Sequence, residues 1–419
     1  MTTQNPRVAS RCRPLGRAIV GAAAAAAALV GSVTAPGADV AALKASRRPT
    51  EFFSIFNFGY GGDDFPDDIA LFERIVVKAG AEGHFNAVLC SHSDERAAVC
   101  RKHGMKMMID LLNDRHHVYR TPDETRALLE RLRGDEVVMG YHLWSDRFGD
   151  QGAGRLRDIR NVNEWDPTHP AYAATYKTAG MDVIAQGDIF GWYDFHWKRS
   201  GWNRHFAALD AALPLARAND SVFYSLLAAE SGLPGKGNYN RSLWSLNQGI
   251  AFGMKGALWF IGMSQMNKAT AEWTQAGLDV HRVNAHVMPL KAELMRIGLP
   301  SAVYATPITK DANDRAVQSA PALVPELAAH AFPADFWIQP VAGEFTMGVF
   351  RDPDARDAVY VANINAYAAH TVTLSLGRPV KTFRFDRMQA AWVAVPETNG
   401  SVTFDLGPAE AELLRFEPQ

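Results

Sequence analysis

The sequence predicts an α/β protein, a (β/α)8 barrel followed by a small antiparallel β-sandwich. Between residues 51 and 298, eight short apolar stretches alternate with stretches of helical periodicity, in the number and length typical of that barrel. After about residue 337 the helix signals disappear, and short alternating stretches with turns between them predict a sandwich over 337–419. The intervening residues 299–336 are rich in proline and are predicted to be a linker.

The first half of the barrel is regular. Its predicted strands are, in order, "EFFSIFNFGYG", "FNAVLCSH", "MKMMIDLLND" and "EVVMGYHLW". The helices between them are predicted from "FPDDIALFERIVVKAG", "DERAAVCRKHG" and "TPDETRALLERLRGD". The last of these begins with Thr121, Pro122 and Glu124, which together predict a capping box.

The second half alternates less regularly. Its predicted strands are "AYAATYKT", "GDIFGWYDFHW", "SVFYSLLAAE" and "ALWFIG", each accompanied by a helical stretch. A doubly wound open sheet is the alternative for such alternation. That fold usually carries a glycine-rich phosphate turn after its first strand, and "NFGYGGDDF" contains no GxGxxG pattern. The barrel is therefore favoured.

The N-terminus predicts export. Four arginines precede an apolar, alanine-rich segment from Ala18 to Val33, and small residues follow it, which is the pattern of a signal peptide. We expect residues 1–45 to comprise this peptide and a short linker, with cleavage between Ala35 and Ala45. A disordered alanine-rich tail is the alternative. Without a twin arginine, the pattern predicts a secreted protein that uses the general secretory route, and no later stretch predicts a membrane span.

Composition excludes several classes of function. With 43 Lys+Arg against 45 Asp+Glu, the chain has no basic excess that would indicate a nucleic-acid partner. No cysteine or histidine motif predicts a metal site, and no cofactor motif is present. Cys90 and Cys100 fall in one strand–helix unit, where a disulfide and two buried thiols are both open.

Residues that follow the barrel strands are the candidates for function, because functional groups of such barrels lie at the C-terminal ends of the strands. These positions are rich in carboxylates, imidazoles and indoles. Two carboxylates above aromatic rings suit glycosidic cleavage, since one acid protonates the leaving oxygen and the other attacks the sugar or activates water. The predicted substrate-binding residues are Asn57, His92, Asp110, His142, Trp144, Tyr193, Asp194, Trp197 and Trp259.

Several stretches resemble clan A glycoside hydrolases. "VVMGYHLWSD" and "VFYSLLAAE" are similar to their acid/base and nucleophile strands, and "NQGIAFGMKGALWFIGM" is similar to the region of strand eight in beta-galactosidase-like and cellulase-like barrels. "AELLRFE" resembles the closing strand of the sandwich that follows many of them. The resemblance implies that Glu230 is the nucleophile and Asp146 the acid/base of a retaining hydrolase. From the missing motifs we expect no metal and no cofactor.

The position of Asp146 departs from that pattern, which usually has a glutamate. Aspartate is one methylene shorter, and the neighbouring Arg147 favours its ionised form. Asp194 is the alternative acid/base. The predicted function is the hydrolysis of an oligo- or polysaccharide, and the alternative is a barrel that binds a glycan or cell-wall polymer without cleaving it. The distance between the two carboxyl groups distinguishes these functions.

Overall fold

The computed structural model describes most of the chain after residue 39. The described residues are 40–58, 65–112, 121–143, 152–175, 180–194, 203–229, 238–260, 262–318 and 320–419.

A closed barrel of eight parallel strands forms the first part of the protein, as predicted. Strand β8 pairs with β1, so that Gly256 lies opposite Phe53 and the sheet has no edge. The strands are β1 (Phe53–Asn57), β2 (Ala87–Cys90), β3 (Lys106–Leu112), β4 (Val138–Leu143), β5 (Ala171–Thr175), β6 (Ile189–Asp194), β7 (Val222–Ala228) and β8 (Gly256–Phe260).

Helices surround the barrel. The predicted capping box is confirmed, because the Thr121 hydroxyl accepts from Glu124 N at 3.2 Å and Thr121 N donates to Glu124 Oε2 at 2.6 Å. The helices are α1 (Val40–Ser46), α2 (Ile69–Val77), α3 (Asp94–Lys102), α4 (Pro122–Leu132), α5 (Gly152–Trp165), α6 (Met181–Ile184), α7 (Asn203–Asn219), α8 (Tyr239–Ala251), α9 (Gly262–Gln265), α10 (Gln275–Val287) and α11 (Lys291–Arg296). A π-helical turn (Lys78–Glu82) extends α2, and 3-10 turns occur at Met288–Leu290 and Pro325–His330.

The barrel is filled by an interior cluster of buried side chains. Its members are Phe53, Ile55, Ala87, Leu89, Met108, Met139, Tyr172, Ala174, Ile189, Val222, Tyr224, Leu226 and Leu258. Two glycines make room for its large rings. A Cβ on Gly256 would lie 2.6 Å from the Tyr224 ring, and one on Gly191 would lie 2.6 Å from the Tyr172 hydroxyl. The alternate residues of the strands face outward against the helices.

Helix α1 is attached to the N-terminal end of the barrel. Arg47, which follows α1, forms a 2.8 Å ion pair with Asp188, and both side chains are almost fully buried. Lys44 donates to the carbonyl of Asn219 at 2.6 Å, just before β7. Residues 40–45, which we predicted to belong to the signal peptide and its linker, thus lie in helix α1.

Two antiparallel sheets follow the barrel, and a shared apolar core between them confirms the predicted sandwich. One sheet has the order β10-β13-β16 and the other the order β15-β14-β17-β12-β11-β9. The strands are β9 (Ala302–Ala305), β10 (Ile338–Ala342), β11 (Phe345–Arg351), β12 (Asp357–Asn363), β13 (His370–Leu376), β14 (Val380–Asp386), β15 (Ala391–Ala394), β16 (Ser401–Leu406) and β17 (Ala411–Pro418). Strand β9 lies in the predicted linker, which thus supplies an edge strand of the larger sheet.

Helix α8 lies between the barrel and the larger sheet. Its residues from Ser242 to Ala251 are all buried. Trp244 Nε1 donates to the carbonyl of Ile364 at 2.8 Å, and the Asn247 side chain donates to the carbonyl of Ala409 at 2.8 Å. Gly348 of β11 lies so close that a Cβ there would be 2.1 Å from Ala251 O. The helix is therefore packed closely against the larger sheet.

Cys90 and Cys100 are both buried and are not bonded to each other, so the two-thiol alternative holds. Burial raises the pKa of the Cys100 thiol to about 12, which keeps it protonated at neutral pH. No helix in the described part of the chain is long and apolar enough to cross a membrane.

Candidate active site

A buried carboxylate–imidazole pair occupies the C-terminal end of the barrel. Asp110 on β3 and His142 on β4 are opposite each other in the sheet register, and His142 Nδ1 lies 3.4 Å from Asp110 Oδ1. Their side chains are 3% and 0% exposed. A carboxylate accepts only, so the tautomer that suits this contact is the one with its proton on Nδ1. The structure thus brings together two of the predicted site residues.

Two tyrosines lie in the barrel interior beside this pair. The rings of His142 and Tyr172 are 5.1 Å apart, and those of Tyr172 and Tyr224 are 5.7 Å apart. Burial raises the pKa of both phenols well above the usual value, so both are neutral hydroxyls at any ordinary pH. Neither hydroxyl has a hydrogen-bond partner among the described residues. Tyr172 is not among the predicted site residues, although the alternation within "AYAATYKT" places it on one face of its strand.

Asn57 is the last residue of β1. It shares the strand face of Phe53 and Ile55, which belong to the interior cluster, and it lies opposite Leu89 of β2. Its side chain is fully buried. Within the described part of the chain, neither the oxygen nor the nitrogen of its amide has a hydrogen-bond partner. A buried amide without partners is uncommon and needs an explanation, which a bound ligand at this end of the barrel would supply.

The loop after β2 carries His92, which is 8% exposed. Arg96, in the first turn of α3, fastens this loop. Its guanidinium contacts the Ser91 hydroxyl and donates to Pro66 O at 3.2 Å, and it lies over the Phe72 ring at 5.3 Å. Arg96 thereby links the segment before α2 to the loop that carries His92. The local sequence does not indicate this role, because Arg96 is one of several charged residues in a short helix.

The predicted sugar-binding role of Trp259 needs correction. Its side chain is fully buried in the layer between the barrel and the helices. Its Nε1 donates to the Ser54 hydroxyl at 3.0 Å, which in turn contacts Asn284 of α10 at 2.8 Å. Trp259 alternates with Leu258, which faces the interior, so it points outward. The residue packs the barrel wall and does not reach the mouth.

The remaining predicted residues are not described in full. Tyr193 and Asp194 end strand β6, but their side chains lie outside the described residues. Four predicted residues lie wholly outside that part of the chain, namely Trp144, Asp146, Trp197 and Glu230. In the sequence, Asp146 follows the end of β4 by three residues and Glu230 follows the end of β7 by two. No group of three or more potential metal ligands occurs among the described residues.

Solved structures resemble this chain in fold, whereas its sequence matches no protein-family model and no curated protein. A glycoside hydrolase is 9% identical, with a match covering 88% of this chain and 93% of the other and a TM-score of 0.54. Alpha-L-fucosidase isoenzyme 2 from Paenibacillus thiaminolyticus is 9% identical over 88% of this chain and 100% of its own, with a TM-score of 0.48. A β-L-arabinopyranosidase from Geobacillus stearothermophilus is 10% identical over 90% and 98%, with a TM-score of 0.47. At these identities the likeness concerns the fold, which the first comparison supports.

Proposed function

We propose that this protein is a secreted glycoside hydrolase that cleaves glycosidic bonds in an oligo- or polysaccharide. The proposal rests on the change from apolar to polar side chains along the barrel interior. The interior cluster is mostly apolar, but Asn57, Asp110 and His142 replace apolar residues at the C-terminal end. Amide, carboxylate and imidazole groups bind hydroxyls, and that end is where barrels of this type carry their sites.

Two further features support the proposal. A solved glycoside hydrolase shares the fold of this chain with a TM-score of 0.54. Carboxylates follow two of the strands closely in the sequence, Asp146 after β4 and Glu230 after β7. In the proposed mechanism Glu230 attacks the anomeric carbon while Asp146 protonates the leaving oxygen. Asp146 then takes a proton from the water that releases the sugar, which retains the configuration at the anomeric carbon.

The test is hydrolysis of a panel of aryl glycosides and polysaccharides by the wild type and by Glu230→Gln. The amide keeps the size of the side chain but cannot attack, so kcat should fall by about 10³-fold or more on any active substrate. Glu272→Gln is the matched control, because Glu272 is 70% exposed and pairs with Lys78. ¹H NMR of the first product should show retention of configuration.

Two results would contradict the proposal. Glu230→Gln turnover within tenfold of the wild type would reject Glu230 as the nucleophile. Glycan binding by a wild type that hydrolyses no member of the panel would favour the non-catalytic barrel. In the first case, Asp194 is the next carboxylate to replace.

A further inference from the structure

The amide of Asn57 is a group that the fold does not use. Neighbouring interior positions of β1 hold Phe53 and Ile55, so an apolar residue would fit the pattern at position 57. The amide is fully buried, and both its polar atoms are without partners among the described residues. Leaving a buried donor and a buried acceptor unpaired destabilises a folded protein, whereas an apolar residue of similar size would not. Residues that lower the stability of the fold in this way are typical of functional sites.

The place of Asn57 relates it to the candidate active site. It ends β1, and Asp110 lies near the end of β3, two strands around the barrel. Alternate strands contribute side chains to the same layers of a (β/α)8 barrel. Asn57 and Asp110 both face inward at the C-terminal end of the barrel. Together with His142 they therefore belong to the polar part of the barrel interior.

The chemistry of an amide restricts what it can bind. Its oxygen requires a donor and its nitrogen requires an acceptor. A carboxylate would satisfy only the nitrogen and would repel the oxygen, and an ammonium group would satisfy only the oxygen. A hydroxyl group both donates and accepts, so a pair of adjacent hydroxyls satisfies both ends of the amide.

We infer that Asn57 binds a pair of adjacent hydroxyl groups of a sugar ring in the deepest part of the site and determines which hydroxyl configuration the enzyme accepts. The inference rests on the proposed function and adds the residue that selects the hydroxyl configuration. A site built to bind a hydroxyl rejects the analogue that lacks it far more strongly than an apolar pocket rejects an extra methylene. Asn57 is thus a specificity-determining residue.

The experiment combines protein variants with substrate analogues. Asn57→Leu and Asn57→Ala are compared with the wild type on an active aryl glycoside and on its monodeoxy derivatives. The wild type should discriminate against one deoxy position by about 100-fold or more in kcat/KM, and both variants should lose that discrimination. Asn57→Leu should meanwhile keep or raise the melting temperature, a result that a purely structural role would not give.

Ser225→Ala is the matched control. Ser225 is fully buried, and its hydroxyl also has no partner among the described residues, but it lies opposite Trp192, whose ring belongs to the outer layer. Its removal should leave the discrimination unchanged. An Asn57→Leu enzyme with wild-type kcat/KM, or with the discrimination intact, would overturn the inference while leaving the hydrolase proposal standing.

Binding provides the readout if the wild type hydrolyses nothing. Titration calorimetry with a panel of methyl glycosides tests the same residue without turnover. Binding of a methyl glycoside that Asn57→Leu weakens by about 100-fold supports the inference. Equal binding by both proteins, or no binding of any of these sugars by the wild type, overturns it.

Discussion

The imidazole of His330 connects Asp210 to a backbone carbonyl. Its Nε2 lies 2.7 Å from Asp210 Oδ1 on α7, and its Nδ1 lies 3.0 Å from Val303 O on β9. Both partners accept hydrogen bonds, so only the doubly protonated ring satisfies both. Burial lowers the pKa of His330, but the hydrogen bonds to Asp210 and Val303 outweigh it and the pKa is raised.

Stability should therefore depend on pH through His330. Since its pKa is raised in the folded state, its contribution is complete below the unfolded value of about 6.5 and is lost as the pH rises through the folded value. His330→Gln should lower the free energy of unfolding by about 1 kcal/mol at pH 5.5 and by less at pH 8.5. Urea denaturation at both pH values measures this. Asp210→Asn should remove the same contribution to the free energy of unfolding. If the free energies of unfolding of wild type and variant differ by the same amount at both pH values, the ring is not charged.

Asp166 should stabilise the N-terminal end of the barrel over another pH range. Burial would raise its pKa, but hydrogen bonds from His169, Thr168 and Tyr141 outweigh this and lower it to about 2. The contribution is thus present above the ordinary value and is lost as the pH falls toward 2. Asp166→Asn should lower the free energy of unfolding by about 2–3 kcal/mol at pH 7. Below pH 3.5 the free energies of unfolding of variant and wild type should approach each other.

The same urea measurement with Asp67→Asn provides the control for Asp166, because the Asp67 carboxylate is fully exposed. That variant should unfold like the wild type at pH 7. An Asp166→Asn protein that is equally stable would mean that its neighbours are satisfied without the charge.

Close contact at the domain interface predicts a cost for Gly348→Ala. The added methyl group would lie 2.1 Å from the backbone oxygen of Ala251 and 2.7 Å from the Phe350 ring, and a backbone atom cannot move aside as a flexible side chain can. We expect the free energy of unfolding to fall by about 1–3 kcal/mol. Gly80→Ala is the comparison, since its nearest neighbour is the flexible sulfur of Met105 at 3.1 Å. In thermal denaturation, Gly348→Ala should have a clearly lower melting temperature than Gly80→Ala. Equal melting temperatures would argue against close packing at the interface.

Trp259 should behave as a core residue. Trp259→Phe removes the hydrogen bond to Ser54 and leaves a cavity in the barrel wall, so the melting temperature should fall. Glycan binding should be unchanged in calorimetry, because the ring does not reach the mouth. A selective loss of binding at unchanged stability would return Trp259 to the site.

The strands were predictable because parallel barrel strands are buried on both faces and appear as short apolar runs. That property also explains the error at Trp259. When both faces of a strand are apolar, the sequence does not show which face points inward. Asp110 and His142 were predictable as a group, because polar residues at strand ends interrupt the apolar pattern. Their pairing depends on the register between β3 and β4, which the sequence does not show.

Contacts between distant segments were not predictable. Strand β9 has only four residues, and its partner β11 begins forty residues after β9 ends (345 against 305). So short a stretch among prolines gives no strand signal of its own. The pair of His330 and Asp210 is separated by 120 residues, and each is an unremarkable polar residue in its local sequence.

The buried position of α8 has a consequence for how such a protein can evolve. A barrel ending at residue 298 would expose Trp244 to water and remove the carbonyl partners of Asn247 and Gln248. The C-terminal sheets are thus not an independent module that recombination could exchange freely between barrels. The two parts have to be inherited together, and a substitution on one side of α8 is constrained by the sequence on the other.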